Sequence, residues 1–66
     1  MEVTINGVQR DVPEGLTIRA LVEHLGLQEG PVAVEVNRAV VPRARHVEQL
    51  VASGDVIEIV HFVGGG

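Results

Sequence analysis

Residues 1–27, MEVTINGVQRDVPEGLTIRALVEHLGL, carry the two local signals that decide the fold. The first six residues alternate between apolar and polar side chains, with Val3 and Ile5 on one side, which is typical of a half-buried strand. Asn6-Gly7 comes next, and this dipeptide favours a type I′ turn because both central residues of that turn have positive φ. Residues 8–12 then provide the returning strand, so the chain is predicted to begin with a β-hairpin.

A single amphipathic helix is predicted after the hairpin. Thr17 suits the N-cap because its hydroxyl can accept a hydrogen bond from the first turn, and Gly26 suits the left-handed residue that ends a helix. Arg19 and Glu23, four residues apart, are expected to pair on the exposed side. Between the caps, apolar residues recur at helical spacing and form one stripe that faces a core. They are Ile18, Leu21, Val22 and Leu25.

Beyond the helix, the chain predicts further short elements. Residues 32–36 alternate valine with other residues and predict a third strand. Val40-Val41 continues as a short extended piece that Pro42 ends or places on a sheet edge. One short helical turn is predicted at residues 46–50.

The last predicted element is a strand over residues 56–63, in which Ile57 and Ile59 share one face. The other face carries Val56, Glu58, Val60 and Phe62. A hairpin crossed by one helix and followed by more strands predicts an α+β fold, with the helix packed on one face of a sheet.

Size and charge limit the possible functions. The 66 residues predict a single domain, with a body at 1–61 and a flexible C-terminal tail at 62–66. So small a body rarely holds a deep cleft, so an enzyme is not expected. Nine acidic residues against five basic ones leave a net charge of −4, which lacks the basic footprint of a nucleic-acid binder. With no apolar run near the roughly 20 residues of a membrane span and no visible signal peptide, a cytoplasmic location is expected.

No side-chain motif for catalysis or metal binding is found in the sequence. His24, His46 and His61 share no metal-ligand spacing and are interpreted as three partly exposed histidines. Ser53 is interpreted as a turn residue, since nothing resembles a nucleophile motif. The chain has no cysteine, so thiolate ligands are absent as well. Neither catalytic nor metal-binding residues are therefore predicted.

The chemical handle is instead the terminal run Gly64-Gly65-Gly66. The α-carboxylate of Gly66 is ionised at neutral pH and is a poor electrophile, so a partner must activate it, most simply as an acyl-adenylate made with ATP. Gly64 and Gly65 lack Cβ atoms and can thread a narrow channel. The alternative is a frayed end without function. A strand that leads directly into the glycines favours the functional interpretation.

Val60 and Phe62 form an apolar outer face beside this tail and are interpreted as partner contacts. The alternative is that Phe62 folds back onto the edge of the core.

Three stretches of the chain resemble the ThiS family of sulfur carrier proteins of thiamine biosynthesis, which are ubiquitin-like β-grasp proteins. They are INGVQRDVPEGLTIRALVEHLGL, VAVEVNRAVVPR and LVASGDVIEIVHFVGGG, so the resemblance runs nearly end to end. Within them, VNRAVVPR and GDVIEIVHFVGGG are the specific parts. The chain departs from the family at His46, where members often carry an aromatic residue.

The resemblance implies a β-grasp fold with a mixed sheet and a carrier role in place of catalysis. It implies that an E1-like adenylyltransferase of the ThiF type uses ATP to adenylate Gly66, and that the carrier itself binds no cofactor. A sulfur donor, typically a persulfide, then converts Gly66 to a thiocarboxylate. A thiazole synthase of the ThiG type takes that sulfur. Gly64 and Gly65 would thread the tail, and Val60 and Phe62 would contact partners.

Three other functions stay open at this point. A related carrier could serve molybdopterin, cysteine or tRNA thiolation with the same chemistry. A ubiquitin-like modifier would instead transfer the acyl group of Gly66 to lysines of target proteins. A pure binding module would have a tail without chemical function.

Overall fold

The computed structural model describes residues 1–62, and within them the chain forms a five-stranded sheet and one α-helix. The helix, α1, spans Ile18–His24, and a short 3-10 helix spans Arg43–Arg45. The strands are β1 (Glu2–Ile5), β2 (Val8–Asp11), β3 (Val32–Val36), β4 (Ala39–Val41) and β5 (Val56–His61).

The sheet has the strand order β2-β1-β5-β3-β4. Strand β5 runs parallel to β1, and the other neighbouring strands are antiparallel, so the sheet is mixed. The last strand of the chain therefore lies at the centre of the sheet. This arrangement confirms the predicted α+β fold with a mixed sheet.

The two hairpin turns have the same backbone form. Asn6 and Gly7 have φ of 50° and 81°, which confirms the predicted type I′ turn. Asn37 and Arg38 have φ of 51° and 70° between β3 and β4, a second such turn that the sequence analysis did not identify. An arginine stands in this second turn where glycine is preferred.

The helix has the predicted caps. The Thr17 hydroxyl accepts a hydrogen bond from the Ala20 N–H at 3.1 Å, and Gly26 takes the left-handed conformation with φ of 75°. Arg19 and Glu23 pair on the exposed side, with 3.2 Å between Nε and Oε2.

The core lies between α1 and one face of the sheet. Its most deeply buried side chains are Ile18, Leu21, Ile57, Val3 and Val34. The fourth residue of the predicted stripe, Leu25, is only partly buried. The alternating residues of β1, β3 and β5 face the opposite side, which no helix covers among residues 1–62, and are mostly exposed.

Two local predictions were wrong. The short helical turn lies at Arg43–Arg45 and not at 46–50, because Pro42 is already its N-cap and accepts a hydrogen bond from the Arg45 N–H at 2.9 Å. His46 is not partly exposed: it retains 6% exposure, and its Nε2 lies 3.0 Å from the Val41 carbonyl oxygen. This hydrogen bond offsets the cost of burying the ring.

No helix within residues 1–62 has the length and apolar character needed to cross a membrane.

Candidate functional site

The candidate site is the C-terminal end of β5, where the strand leads towards the glycines. Val60 and Phe62 are each 53% exposed and alternate on the uncovered face of the sheet. Phe62 is not among the apolar side chains that pack on the core. Its backbone is nevertheless held, because the Phe62 N–H donates to the Pro31 carbonyl oxygen at 3.0 Å.

The predicted reactive residue Gly66 and the threading residues Gly64 and Gly65 lie outside the described residues.

The apolar surface is wider than the two predicted residues. Val40 and Val56 are also exposed on the same face, and together with Val60 and Phe62 they form what we call the open-face patch. Strand pairing places Glu35 of β3 directly opposite Glu58 of β5 within it. Val40 was missed by the sequence analysis because its position beside Glu35 depends on the β3–β4 register.

Two asparagine side chains hold β5 to the hairpins on either side. The Asn6 side chain accepts a hydrogen bond from Ile59 N–H at 2.8 Å and donates one to Ile59 O at 3.0 Å. The Asn37 side chain accepts from Val56 N–H at 3.0 Å and donates to Asp55 Oδ1 at 3.0 Å. Each turn therefore serves both as a chain reversal and as a clamp on the central strand.

A separate short loop holds the end of β5. A ring nitrogen of His61, Nε2, makes a hydrogen bond with the Glu29 carbonyl oxygen. A Cβ atom at Gly30 would lie 3.0 Å from the Phe62 carbonyl oxygen, so the loop backbone approaches the strand too closely for an ordinary side chain. These contacts hold the backbone at the end of β5 as far as Phe62.

The described residues do not form a metal-binding site. Within residues 1–62, no three His, Cys, Asp or Glu side chains come together in a way that could hold an ion. The histidines lie apart, with His24 exposed at the end of α1 and His46 buried at the C-terminal end of the 3-10 helix. The site therefore consists of an exposed apolar surface and the end of the central strand.

These features define a small ubiquitin-like β-grasp protein, in which a central last strand presents an apolar surface and then enters a glycine run. The model of the ThiS family matches residues 3–66. The chain belongs to the ThiS family.

Solved and curated relatives agree with this assignment. A crystal structure of the thiamine biosynthesis protein ThiS from Geobacter metallireducens is 33% identical, with full coverage of both chains and a TM-score of 0.83. The sulfur carrier protein ThiS of Bacillus subtilis is 44% identical over 50 residues, which are 76% of each protein.

Two other relatives are much longer proteins. The thiazole synthases of Paramagnetospirillum magneticum and Magnetococcus marinus match the whole chain at 41% and 39% identity. The chain spans only 20% of the length of each.

Proposed function

We propose that this protein is a sulfur carrier of thiamine biosynthesis, which acts through a thiocarboxylate formed at Gly66 and is not itself an enzyme. The observation that carries the proposal is the family match over residues 3–66, which includes the terminal glycines. The end of β5 supports it, because the backbone is held up to Phe62, two positions before the first of the terminal glycines.

The chemistry begins with activation of the Gly66 carboxylate by a partner. A carboxylate oxygen attacks the α-phosphorus of ATP, pyrophosphate leaves, and an acyl-adenylate forms. The terminal sulfur of a persulfide then displaces AMP and gives an acyl disulfide. Two-electron reduction by a thiol cleaves the sulfur–sulfur bond and leaves the thiocarboxylate on Gly66. ATP is thus a substrate of the partner and not a cofactor of the carrier.

The composition of the chain suits this chemistry. It contains no lysine, since its five basic residues are all arginines, and it contains no cysteine. The activated carbonyl therefore meets no amine or thiol side chain of its own protein. Gly64 and Gly65 are proposed to thread the partner's channel, where side chains would obstruct entry.

We propose two protein partners, an E1-like adenylyltransferase and a thiazole synthase. The thiazole synthase is supported by the two long relatives, in each of which a segment similar to this whole chain belongs to a protein of that name. Fusion of two modules raises their effective concentration, which is useful when one delivers a group to the other. Val60 and Phe62 are proposed to contact these partners. The use of ATP and a persulfide donor is the basis for proposing a cytoplasmic location.

The test is the intact mass of the protein after incubation with ATP, a sulfur source and the candidate adenylyltransferase. We expect a shift equal to the replacement of one oxygen by sulfur, dependent on ATP. A variant that lacks Gly66 should show no shift, while its circular dichroism spectrum and unfolding midpoint stay those of the parent, because residues 1–62 hold the described core.

Gly66→Ala is the matched variant, because it keeps the carboxylate and adds only a methyl group. We expect it to load sulfur much more slowly if the terminal residues pass through a narrow channel. A shift that persists without Gly66 would contradict the proposal, and so would a bond from Gly66 to lysines of target proteins. The second outcome would indicate a ubiquitin-like modifier.

A further inference from the structure

A cleft of about 460 Å³ lies on the helix side of the molecule, between the start of α1, the loop before β3 and the 3-10 helix. Arg19, Arg43, Gln28 and His46 supply its polar lining, and Val22 and Val32 contribute apolar surface. The volume lies within the range of small-molecule sites in proteins.

The charge of the cleft is opposite to that of the protein. The chain has nine acidic and five basic residues, yet two arginines and no carboxylate line this cleft. Arg19 uses its Nε atom to pair with Glu23, which leaves its terminal nitrogens available. Within residues 1–62, Arg43 makes no ion pair. The local field therefore favours an anion.

The walls of the cleft are fixed to one another by the backbone. Arg19 N–H donates to the His46 carbonyl oxygen at 2.8 Å, which joins the helix to the loop that carries His46. The third wall is held through Pro31, whose carbonyl oxygen accepts from Phe62 N–H. A site with fixed walls loses less conformational entropy when a ligand binds.

His46 provides a buried polar group at this cleft. Its Nε2 lies 3.0 Å from the Val41 carbonyl oxygen, and because a carbonyl can only accept, Nε2 carries the proton. No buried side-chain nitrogen or oxygen of residues 1–62 lacks a hydrogen-bond partner. The His46 Nδ1 atom makes no hydrogen bond within those residues, so it is not one of the buried atoms and must contact solvent. It reaches solvent through the cleft, because His46 lines the cleft.

The two arginines and the His46 Nδ1 atom together select among anions. The arginines donate to any oxyanion, whereas an imidazole nitrogen that carries no proton needs a donor. Near pH 6, its second pKa, a phosphate ester is about half monoanion, and this form offers both, because it carries one hydroxyl beside its unprotonated oxygens. Carboxylate and sulfate anions have no proton to donate. The cleft is also larger than a bare ion, and its valines suit a small organic group.

We propose that this cleft binds a small phosphate ester, with Arg19 and Arg43 on the phosphate oxygens and His46 Nδ1 accepting from the phosphate hydroxyl. The site lies on the opposite side of the sheet from the open-face patch, and its ligand binding is independent of sulfur transfer. Nothing in it requires a chemical step, since the group is bound and not transformed.

The experiment is an NMR titration of the ¹⁵N-labelled full chain with inorganic phosphate, sulfate and glycerol 3-phosphate at constant ionic strength and about pH 6, where the phosphate hydroxyl is present. We expect saturable shifts at the amides of Val22, Gly30 and Val32, and a change in the His46 Nδ1 resonance with the two phosphates. Glycerol 3-phosphate should bind more tightly than phosphate, and phosphate more tightly than sulfate.

Arg43→Gln should weaken phosphate binding about tenfold, the effect of one charge-assisted hydrogen bond. Arg10→Gln is the matched control, because Arg10 is exposed on β2 at the other edge of the sheet, and it should leave the affinity within about twofold. Equal weakening in both variants, shifts that never saturate, or sulfate binding as tightly as phosphate would overturn the proposal.

Discussion

The two ends of β5 are held in different ways. At its N-terminal end, Val56 and Ile57 pair with β1, and Ile57 also pairs with Val36 of β3. Towards its C-terminal end, the β1 ladder has stopped. There the Asn6 side chain takes the place of a strand at Ile59, and His61 pairs with β3 alone.

Along this one strand, the residues that stabilise the fold are separate from those that form the exposed surface. Ile57 is completely buried and lies between two neighbouring strands, whereas Val60 is half exposed. The C-terminal end pairs with β3 alone, and the loop at residues 29–31 adds contacts at His61 and Phe62. Substitutions at the first end should therefore unfold the protein, and those at the second should alter how it presents its surface.

The largest effect is expected at Ile57. Ile57→Ala removes a fully buried side chain and should lower the free energy of unfolding by about 4 kcal/mol, a large fraction of the stability of so small a domain. Val60→Ala should lower it by about 0.5 kcal/mol or less, because the side chain is half exposed. Urea denaturation followed by circular dichroism measures both.

Ile57→Val keeps this comparison measurable if Ile57→Ala does not fold, with an expected loss of about 1 kcal/mol. Val60→Ala should instead weaken binding to the adenylyltransferase or the thiazole synthase. Similar losses of stability in Ile57→Val and Val60→Ala would show that the two ends of β5 do not differ.

An intermediate effect on stability is expected when either of two glycines near the ends of β5 is replaced by alanine. Gly30 and Gly54 have φ of 89° and 85°, but a Cβ atom meets Phe62 O at 3.0 Å only at Gly30. Gly54→Ala should therefore cost about 1 kcal/mol of backbone strain. Gly30→Ala should cost about 2 kcal/mol, since the end of the strand must also move.

Hydrogen exchange at the Phe62 amide tests the same pair more directly. Gly30→Ala should speed this exchange, because it displaces the strand end whose N–H donates to Pro31, while Gly54→Ala should not do so beyond its effect on global stability. Equal protection of Phe62 in both variants would argue that the loop does not hold this end.

The sequence predicted the parts of the fold that depend on neighbouring residues. The Asn6-Gly7 turn, the Thr17 cap and the alternation of Ile57 and Ile59 each follow from local chemistry or spacing, and each is present. The second turn was missed because Arg38 replaces the glycine that marks such turns. Its conformation is set by the pairing of β3 with β4.

The surroundings of the candidate site were less predictable. Val60 and Phe62 could be placed on one face by counting along the strand, but Val40 joins them only through strand pairing. The burial of His46 and its approach to Arg19 and Arg43 depend on how separate loops pack. Arg43 and His46 belong to the same short helical turn, but no spacing in the sequence encodes their approach to Arg19, which lies on α1.

The smallest expected effect concerns the turn whose Asn37 side chain clamps the N-terminal end of β5. Arg38 has φ of 70°, a conformation that costs an ordinary side chain about 1 kcal/mol. Arg38→Gly should remove this strain, and after the greater entropy of glycine in the unfolded chain it should stabilise the protein by about 0.5 kcal/mol. Arg38→Ala separates strain from side-chain contacts, since it removes the guanidinium and keeps the strain. Urea denaturation should rank Arg38→Gly above Arg38→Ala, and the reverse order would mean that the arginine side chain, not the backbone, determines the stability of this turn.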